Sequence, residues 1–453
     1  MRKNYPKILL IILVSVLCCC EEKFEFNTGA ILHFSCDTLK FDTIFTGEKS
    51  SVHYLKILNK SGKNLNINTI QLENNDDQFQ LNINGQQTNS ANNIELRKGD
   101  SIFIFAQALL KNQAENCLRT NSILVNTGGE NQRVIITAYG INVTKLNGTI
   151  NSDTTLPAHT AYISDQGITV TKNAKLTIEE GVAIYFNKNC GLNVLGSLSI
   201  EGELQNPVSL QGIRPEEEYK SVAGQWSGIS IGESSTDIAI NYATIKNAQS
   251  GIACQERKNY EGNIRIGNSK IQNHLFTGVK IANMDAFVYN TLISNCGNAC
   301  IDIDKSGNYT IMHCTLANYW SSGYRSTPAF VCHDKNSNTE FNALVINSII
   351  YGDHQSKIEC DFPDNESSSL IFQNCLIKNN ITEHQIFSDC KFNLDPLFQD
   401  IPNSDYRIQA ESPAKDMGNF GLLMLYSELE TDISGNSRTE DGNPDAGFAE
   451  YKE

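Results

Sequence analysis

The chain has 453 residues, of which 40% are hydrophobic, 19% are charged and 10 are proline. This composition excludes a disordered tail and a coiled coil, and the length favours two domains or a repeat array over a single core. The net charge of -15 disfavours nucleic acid, anionic membranes and acidic polysaccharides as partners. A neutral glycan or a protein partner meets no such penalty.

The first predicted element is an export signal at residues 1–20. Three basic residues precede an apolar run at residues 8–17, which is too short to span a bilayer and ends at three consecutive cysteines. This pattern resembles a bacterial lipoprotein signal, in which one cysteine is acylated and becomes the new N-terminus. Cys20 is the predicted lipidation site, because Leu17 lies three residues before it and a small residue precedes it. Cys19 is the alternative lipid site, and a plain secretory signal is the alternative to lipidation.

The residues after Cys20 predict the cellular location of the protein. Glu21 and Glu22 are similar to the acidic tag that directs lipoproteins of the Bacteroidetes to the outer cell surface. Removal of residues 1–20 takes away three basic residues and no acidic one, which leaves 33 basic against 51 acidic residues and a net charge of -18. We therefore expect a palmitate-bearing lipoprotein of the bacterial outer membrane, anchored through its lipid and facing outward.

Residues 21–143 are predicted to form an immunoglobulin-like β-sandwich, because short alternating strands follow one another between turns rich in glycine, asparagine and serine. The predicted strands are 40–45, 52–59, 78–84, 101–108, 122–126 and 133–139. Three segments, 41–47, 99–105 and 121–140, also resemble an N-terminal sandwich module of Bacteroidetes surface lipoproteins. That module is not known as a catalytic unit.

Residues 144–453 are predicted to form a right-handed parallel β-helix. An Asn-x-x-Ile-x-Asn phrase recurs with starts at Asn268, Asn290 and Asn374, and degenerate copies begin at Tyr242 and His313. Most copies are separated by twenty-odd residues, and several are followed by a second short strand. A period of this length with crossovers too short for helices is typical of a solenoid whose strands pair in parallel from coil to coil.

The recurring asparagines predict a ladder. Amides stacked along the axis of a parallel sheet hydrogen-bond one another. We therefore expect Asn295 to be buried, with amide bonds to Asn273 in one neighbouring coil and Asn318 in the other.

Both ends of the second part support this fold by resemblance. The segments from Gly191 to Gly202 and at 225–229 are similar in sequence to the opening coils of right-handed β-helix repeat domains in exported Bacteroidetes proteins. Those domains share the pectate-lyase-like superfold. The segments at 395–398, 405–408 and 432–447 resemble the tail that closes the last coil in that group. The resemblance implies a fold and leaves activity open, because this superfold carries lyases, hydrolases, adhesins and scaffolds.

One loop holds the candidate ligand-binding residues. The apolar anchors Leu316 and Ile350 are 34 residues apart, more than one coil needs, so we expect a bulge between them. Aromatic rings stack on sugar faces, and an arginine, a histidine and an aspartate suit a polar substrate. The candidates are Tyr319, Trp320, Tyr324, Arg325, His333 and Asp334. The alternative interpretation is a loop folded back on the helix with its aromatic residues half buried.

A second place for chemistry is the strand around Asp302 and Asp304. These residues alternate with isoleucines, so both carboxylates should point outward about 7 Å apart, a spacing suited to calcium or to a carboxylate pair. Lys305 beside them favours a solvated face instead. The prediction is therefore no metal and no cofactor, with calcium as the one ion that the spacing suggests.

Eleven cysteines follow the predicted signal, and no CxxC pair occurs among them. An odd number excludes complete pairing within the chain. We interpret most of them as small buried apolar side chains, with room for one or two disulfides in an oxidising compartment.

The favoured function is a surface-anchored, non-catalytic lipoprotein whose β-helix presents a glycan-binding or partner-binding flank. No residues match the calcium-binding acids and arginine of the pectate lyases or the aspartates of the polygalacturonases, so no catalytic residue is assigned. A polysaccharide lyase or glycoside hydrolase acting on an extracellular glycan is the first alternative. A structural spacer or adhesin is the second. The predicted partners are the outer membrane, through the lipid, and a polysaccharide or a surface protein.

Overall fold

The protein was analysed as a computed structural model. It describes residues 29, 31–75, 77–112, 116–129, 131–214, 216–255, 262–333, 341–353, 358–361, 368–380, 382–423, 425–440 and 442–452. The predicted signal with Cys20, and the candidate Asp334, lie outside these residues. The chain divides into two compact units, Met1–Asn142 and Val143–Glu453. Among the described residues, no helix combines the length and the apolar character needed to cross a membrane.

The first unit is a β-sandwich of two five-stranded sheets. In spatial order, one sheet contains His33–Phe34, His53–Leu58, Ser101–Ala108, Phe79–Ile83 and Gln86–Gln87. The other contains Thr38–Phe45, Gln132–Ile141, Cys117–Asn126, Leu65–Leu72 and Ser90–Leu96. All pairs are antiparallel except Thr38–Phe45 with Gln132–Ile141. Alternate residues of the facing strands form one apolar core.

Four strands of this unit were not predicted from the sequence: the two-residue strands His33–Phe34 and Gln86–Gln87, and the longer strands Leu65–Leu72 and Ser90–Leu96. Leu65–Leu72 buries Leu65, Ile67, Ile70 and Leu72, so the spacing of its buried residues changes from two to three and back, which hides the strict alternation. Ser90–Leu96 is an edge strand that buries only Leu96 and therefore carries almost no hydrophobic pattern. The hydrophobic pattern of the two longer strands is weak, because the buried residues of Leu65–Leu72 are irregularly spaced and Ser90–Leu96 lies at an edge of its sheet.

The second unit is a parallel β-helix, as predicted. Three parallel sheets run along it, and each coil up to Ser368–Gln373 contributes one strand to each sheet in the order A, B, C. Among the described residues, the chain after that point adds strands to sheets A and C only. Sheet A contains Thr144–Lys145, Ala161–Ser164, Ala183–Phe186, Val208–Gly212, Ala243–Lys246, Lys270–His274, Leu292–Cys296, Thr315–Asn318, Ile349–Gly352, Leu376–Ile377 and Lys391–Phe392. Sheet B contains Gly148–Ile150, Ile168–Val170, Gly191–Val194, Gly228–Ile231, Ile252–Cys254, Val279–Ala282, Ile301–Asp304, Phe330–His333 and Glu359–Asp361. Sheet C contains Thr154–Leu156, Lys175–Glu179, Ser197–Glu201, Asp237–Asn241, Asn263–Gly267, Asp285–Tyr289, Gly307–Met312, Phe341–Ile346, Ser368–Gln373 and Phe387–Ser388. Inward side chains of all three sheets form one continuous core.

The recurring asparagines occupy turns with a left-handed backbone. Asn268 (φ 47°) and Asn290 (φ 45°) follow strands of sheet C, and His313 takes the same conformation in a degenerate copy. Asparagine adopts this conformation more readily than other residues with a Cβ. The Nδ2 of Asn290 donates to the Oδ1 of Asn268 over 3.0 Å, and that of Asn347 lies 2.9 Å from the Nε2 of His313. The ladder therefore exists, and the backbone conformation is a second reason for it.

The expectation for Asn295 is correct on one side and wrong on the other. Its Nδ2 donates to Asn273 Oδ1 over 3.2 Å, as predicted. The amide of Asn318 bonds instead to the backbone around Cys296 and Asn298. Asn295 is also only half buried. Its remaining partners are two side chains of the C-terminal tail, Ser404 and Tyr406.

The tail after the last coil packs along the outside of sheet A. It contains the hairpin Phe398–Asp400 and Asp405–Ile408, the short α-helix Phe420–Leu423 and the 3-10 turn Ser427–Leu429. A second 3-10 turn, Glu217–Tyr219, lies between strands of sheets A and B. Tail residues form an apolar cluster with Leu292, Ala317, Ile349 and Leu376 of sheet A.

The tail also buries an ion pair. Arg438, fully buried, donates to Asn290 Oδ1 over 2.8 Å and pairs with the Glu450 carboxylate. The tail thus covers several coils of sheet A. The resemblance had implied that it closes only the last coil.

Candidate functional site

A groove on the flank formed by sheet B is the candidate site. It has a volume of about 490 Å³ and crosses the opening coils at Thr169, Asn193, Ser230 and Ala253. These four residues are register partners on successive strands, and their side chains alternate with buried apolar residues, so they form one outward row. The row lies on a different face from the tail, which packs on sheet A.

Glycine at the start of the sheet B strands makes the floor of this groove. Gly167, Gly191 and Gly228 line it, and each stacks on the next in the parallel register. A Cβ at Gly191 would lie 2.6 Å from the Gly228 carbonyl oxygen, and one at Gly228 would lie 1.7 Å from that of Ser250. The coils therefore approach too closely here for any other residue. The glycine column continues through Gly251 and Gly278, and Cys300 and Ala329 end it in the later coils.

The groove wall is polar but uncharged. Its side chains are amides and hydroxyls, and none of the described residues that line it carries a charge. The polar members are Gln166, Thr169, Asn189, Asn193, Ser227, Ser230, Gln249, Ser250 and Gln255. The ring of Phe276, 46% exposed, lines the same groove. Amides and hydroxyls that both donate and accept, beside one open aromatic face, match the chemistry of a neutral sugar.

Further along the same face the outward row becomes charged. Lys280 and Asp302 are register partners, with Nζ and Oδ2 3.7 Å apart, and Asp304 is the register partner of His333. Burial raises the pKa of the Asp302 carboxyl, while Lys280 and His333 oppose the rise. Its Oδ1 accepts no hydrogen bond from the described residues. The structure thus brings His333 to the two aspartates that the sequence singled out separately.

The predicted binding loop is not one open surface. Arg325 is 4% exposed, and its guanidinium donates to the carbonyl oxygens of Thr327 (2.6 Å) and Asn318 (3.2 Å). Trp320 is 8% exposed. These two side chains therefore support the loop and are not positioned to receive a ligand.

The remaining candidates from that loop are separated from one another. Tyr319 stacks on Tyr406 of the tail, with ring centroids 5.8 Å apart, whereas Tyr324 is 88% exposed. Burial raises the pKa of the Tyr319 hydroxyl, so that group stays protonated. His333 lies on the sheet B face. Of the five predicted residues that the structure describes, it is the one that lies in a cluster of functional groups.

The groove was not predicted from the sequence, because the residue types that line it are common at exposed strand positions. Serine, threonine, asparagine and glutamine at outward strand positions look like ordinary solvated faces. The one available signal was the glycine that opens five successive sheet B strands or the turn before them, at Gly167, Gly191, Gly228, Gly251 and Gly278. In the part of the chain that the structure describes, no three His, Cys, Asp or Glu residues are grouped as metal ligands.

Comparisons with known proteins assign no family. No family model and no curated protein matches the chain. Similar solved structures include a PapD-like domain of human CEP192, at 9% identity and a TM-score of 0.19, covering 24% of this chain and 85% of that one. A family 123 glycoside hydrolase from Clostridium perfringens is 12% identical, with a TM-score of 0.17, over 23% of each chain. With TM-scores this low, neither likeness supports a fold or a function.

Proposed function

We propose that the protein is a surface-anchored, non-catalytic lipoprotein that binds a neutral, extended polysaccharide along the outer face of sheet B. The observation that carries this proposal is the uncharged groove beside Phe276. The chain has a net charge of -15, whereas the groove is polar and uncharged. Such a groove is suited to a neutral ligand, because the electrostatic field of the acidic chain would repel a polyanion. A row of equivalent side chains repeated from coil to coil suits a ligand that also repeats.

The test uses the exposed aromatic ring. Phe276→Ala removes the stacking surface, and we expect about tenfold weaker binding, which corresponds to about 1.4 kcal/mol. Leu275→Ala is the matched control, because Leu275 is 40% exposed and adjacent but does not line the groove. Affinities for neutral and acidic polysaccharides would be measured by titration calorimetry. Equal affinities of the two variants, or tighter binding of the acidic polymers, would contradict the proposal.

Anchoring through Cys20 is the second part of the proposal, supported by the basic, apolar and cysteine segments in sequence. Acyl chains contribute about 0.8 kcal/mol per buried methylene, so a protein carrying two or more of them stays on the membrane. Cys20→Ala should release the protein into the soluble fraction, whereas Cys19→Ala should not. Release by Cys19→Ala alone would move the lipid to Cys19, and release by neither would argue against the anchor.

A polysaccharide hydrolase or lyase is the second candidate function. The specific observation in its favour is the partly buried Asp302, with its raised pKa, beside Asp304 and His333. A carboxyl whose pKa burial raises, next to a second carboxyl, is the arrangement that acid–base cleavage of a glycosidic bond uses. New reducing or unsaturated ends, abolished in Asp302→Asn and retained in Asp237→Asn on sheet C, would establish this activity and overturn the non-catalytic proposal.

A further inference from the structure

The last two coils place two cysteines at matching positions of sheet A. Leu376 pairs in register with Lys391, and Lys391 N donates to the Cys375 carbonyl oxygen over 2.9 Å. Cys375 and Cys390 each precede one member of that pair, so they are neighbours along the helix axis. Adjacent strands lie about 4.8 Å apart, which falls within the Cα separation that a disulfide spans.

The two thiols also point the same way. Each donates to the carbonyl oxygen two residues before it, at 3.3 Å for Cys375 and 3.4 Å for Cys390. Each has a second contact to a carbonyl oxygen of the preceding coil. The strand register and the side-chain direction therefore bring both sulfur atoms to the same place.

The two cysteines differ in accessibility. Cys375 is completely buried and burial raises its pKa, whereas Cys390 is half buried. The hydrogen bond with Cys375 lowers the pKa of the Cys390 thiol. A thiolate is the attacking species in thiol–disulfide exchange, so Cys390 is the one that meets an external reagent. Cys296 and Cys300, also close together, are both completely buried and lack this access.

We propose that Cys375 and Cys390 are a reversible redox pair, which a disulfide oxidant converts into a cross-link that fastens the terminal coil. The Cys390 thiolate attacks a sulfur of the oxidant's disulfide and displaces one thiolate. Cys375 then attacks the Cys390 sulfur of this mixed disulfide, and its proton and the second pair of electrons leave with the second thiol. Two protein thiols are oxidised and one oxidant disulfide is reduced to two thiols.

The position of the pair gives the cross-link a consequence. Leu376–Ile377 and Lys391–Phe392 are two-residue strands, whereas sheet A strands in the middle of the helix reach five residues. The end of a solenoid has a neighbour on one side only, so its last coil opens first. A covalent bond between its final two strands opposes that opening.

The test treats the full chain with oxidised glutathione, blocks free thiols with N-ethylmaleimide and maps the peptides by mass spectrometry without reductant. We expect a peptide pair joined through Cys375 and Cys390 that dithiothreitol separates. The oxidised protein should also unfold at a higher temperature than the reduced protein. Cys390→Ser should abolish both effects. Ser348 occupies the equivalent place one coil earlier, so a serine fits that column.

Cys360→Ser is the matched control, since Cys360 is in a neighbouring coil and should leave the cross-link intact. A stable glutathione adduct on Cys390 with Cys375 still free would overturn the proposal. A bond from Cys390 to any other cysteine would overturn it as well. Should Cys390→Ser fail to fold, the peptide map and the reversible change in unfolding temperature of the unmodified chain decide the question alone.

Discussion

The sandwich and the β-helix handle their turns in opposite ways. In the sandwich, positive-φ asparagines such as Asn84 and Asn93 are exposed to solvent. In the β-helix, the equivalent residues Asn247, Asn290 and Asn347 are buried. Turns that a neighbouring coil, a loop or the tail covers lose water, so their residues must bond to groups there, whereas Asn189 of the β-helix stays exposed. The comparison teaches that one residue type, in one backbone conformation, is a surface feature in one unit and a structural element in the other.

The largest expected effect tests whether the two units unfold independently. Trp226, fully buried and stacked on Phe186 at 4.5 Å, is a core residue of the β-helix, and Phe79 is one of the sandwich. Trp226→Ala and Phe79→Ala should each cost about 3–5 kcal/mol. Hydrogen exchange should show faster exchange in the mutated unit alone. Loss of protection in both units after either change would mean that they unfold together.

The next effect tests an asparagine of the β-helix that bonds both to a neighbouring coil and to the tail. Asn295→Leu should lower the free energy of unfolding by about 3 kcal/mol, because it strains a left-handed residue and removes the acceptor of the Tyr406 hydroxyl. Asn295→Gly separates the causes, since it keeps the backbone free and removes only the amide. Denaturant titration would measure both variants. A loss below half a kcal/mol for the leucine variant would contradict the role of the amide.

Acid should act on the β-helix through its buried histidines. Burial lowers the pKa of His274 to about 3 and also lowers that of His313, whereas the sandwich histidines His33 and His53 are not buried. A folded-state pKa below the ordinary value of 6.5 gives stability that is present above pH 6.5 and lost as the pH falls towards 3. His274 alone should cost about 2 kcal/mol between pH 6.5 and 5.

The measurement for His274 is the unfolding free energy of the β-helix across that pH range. His274→Asn is the control, because its amide oxygen replaces Nδ1 as the acceptor of the Ala248 N–H and does not titrate. An identical pH profile for both proteins would mean that His274 is not the group responsible.

The smallest effect concerns a turn of the sandwich. Asn84 (φ 53°) and Gly85 (φ 83°) connect Phe79–Ile83 to Gln86–Gln87 at the surface. Asn84→Ala should cost about 1 kcal/mol, which is the strain of the left-handed backbone alone. Asn84→Gly should be close to neutral by thermal unfolding. A cost as large as that of Asn295→Leu would remove the distinction between an exposed turn and an asparagine bonded between coil and tail.

The sequence determined the fold class because its signals are local and repeat. Alternating strands marked the sandwich, and the spacing of the Asn-x-x-Ile-x-Asn phrase marked a parallel solenoid, since each coil repeats the same inward and outward positions. The same phrase identified the turns that carry the ladder at Asn268 and Asn290, whereas the amide of Asn374 donates to the Met417 carbonyl oxygen of the tail. It did not reveal the conformational reason for them.

Only the tertiary structure decided where a ligand has room. The burial of Trp320 and Arg325, and the contact of Tyr319 with Tyr406, depend on how a long loop and a distant tail pack, which no local pattern encodes. The groove arises because parallel stacking aligns Gly191 with Gly228, residues 37 positions apart in the chain. Stacking likewise brings Asp304 beside His333. The sequence repeat determines that the coils stack. The lengths of the loops between the strands determine which side chains become neighbours, and these neighbours are known only in the folded chain.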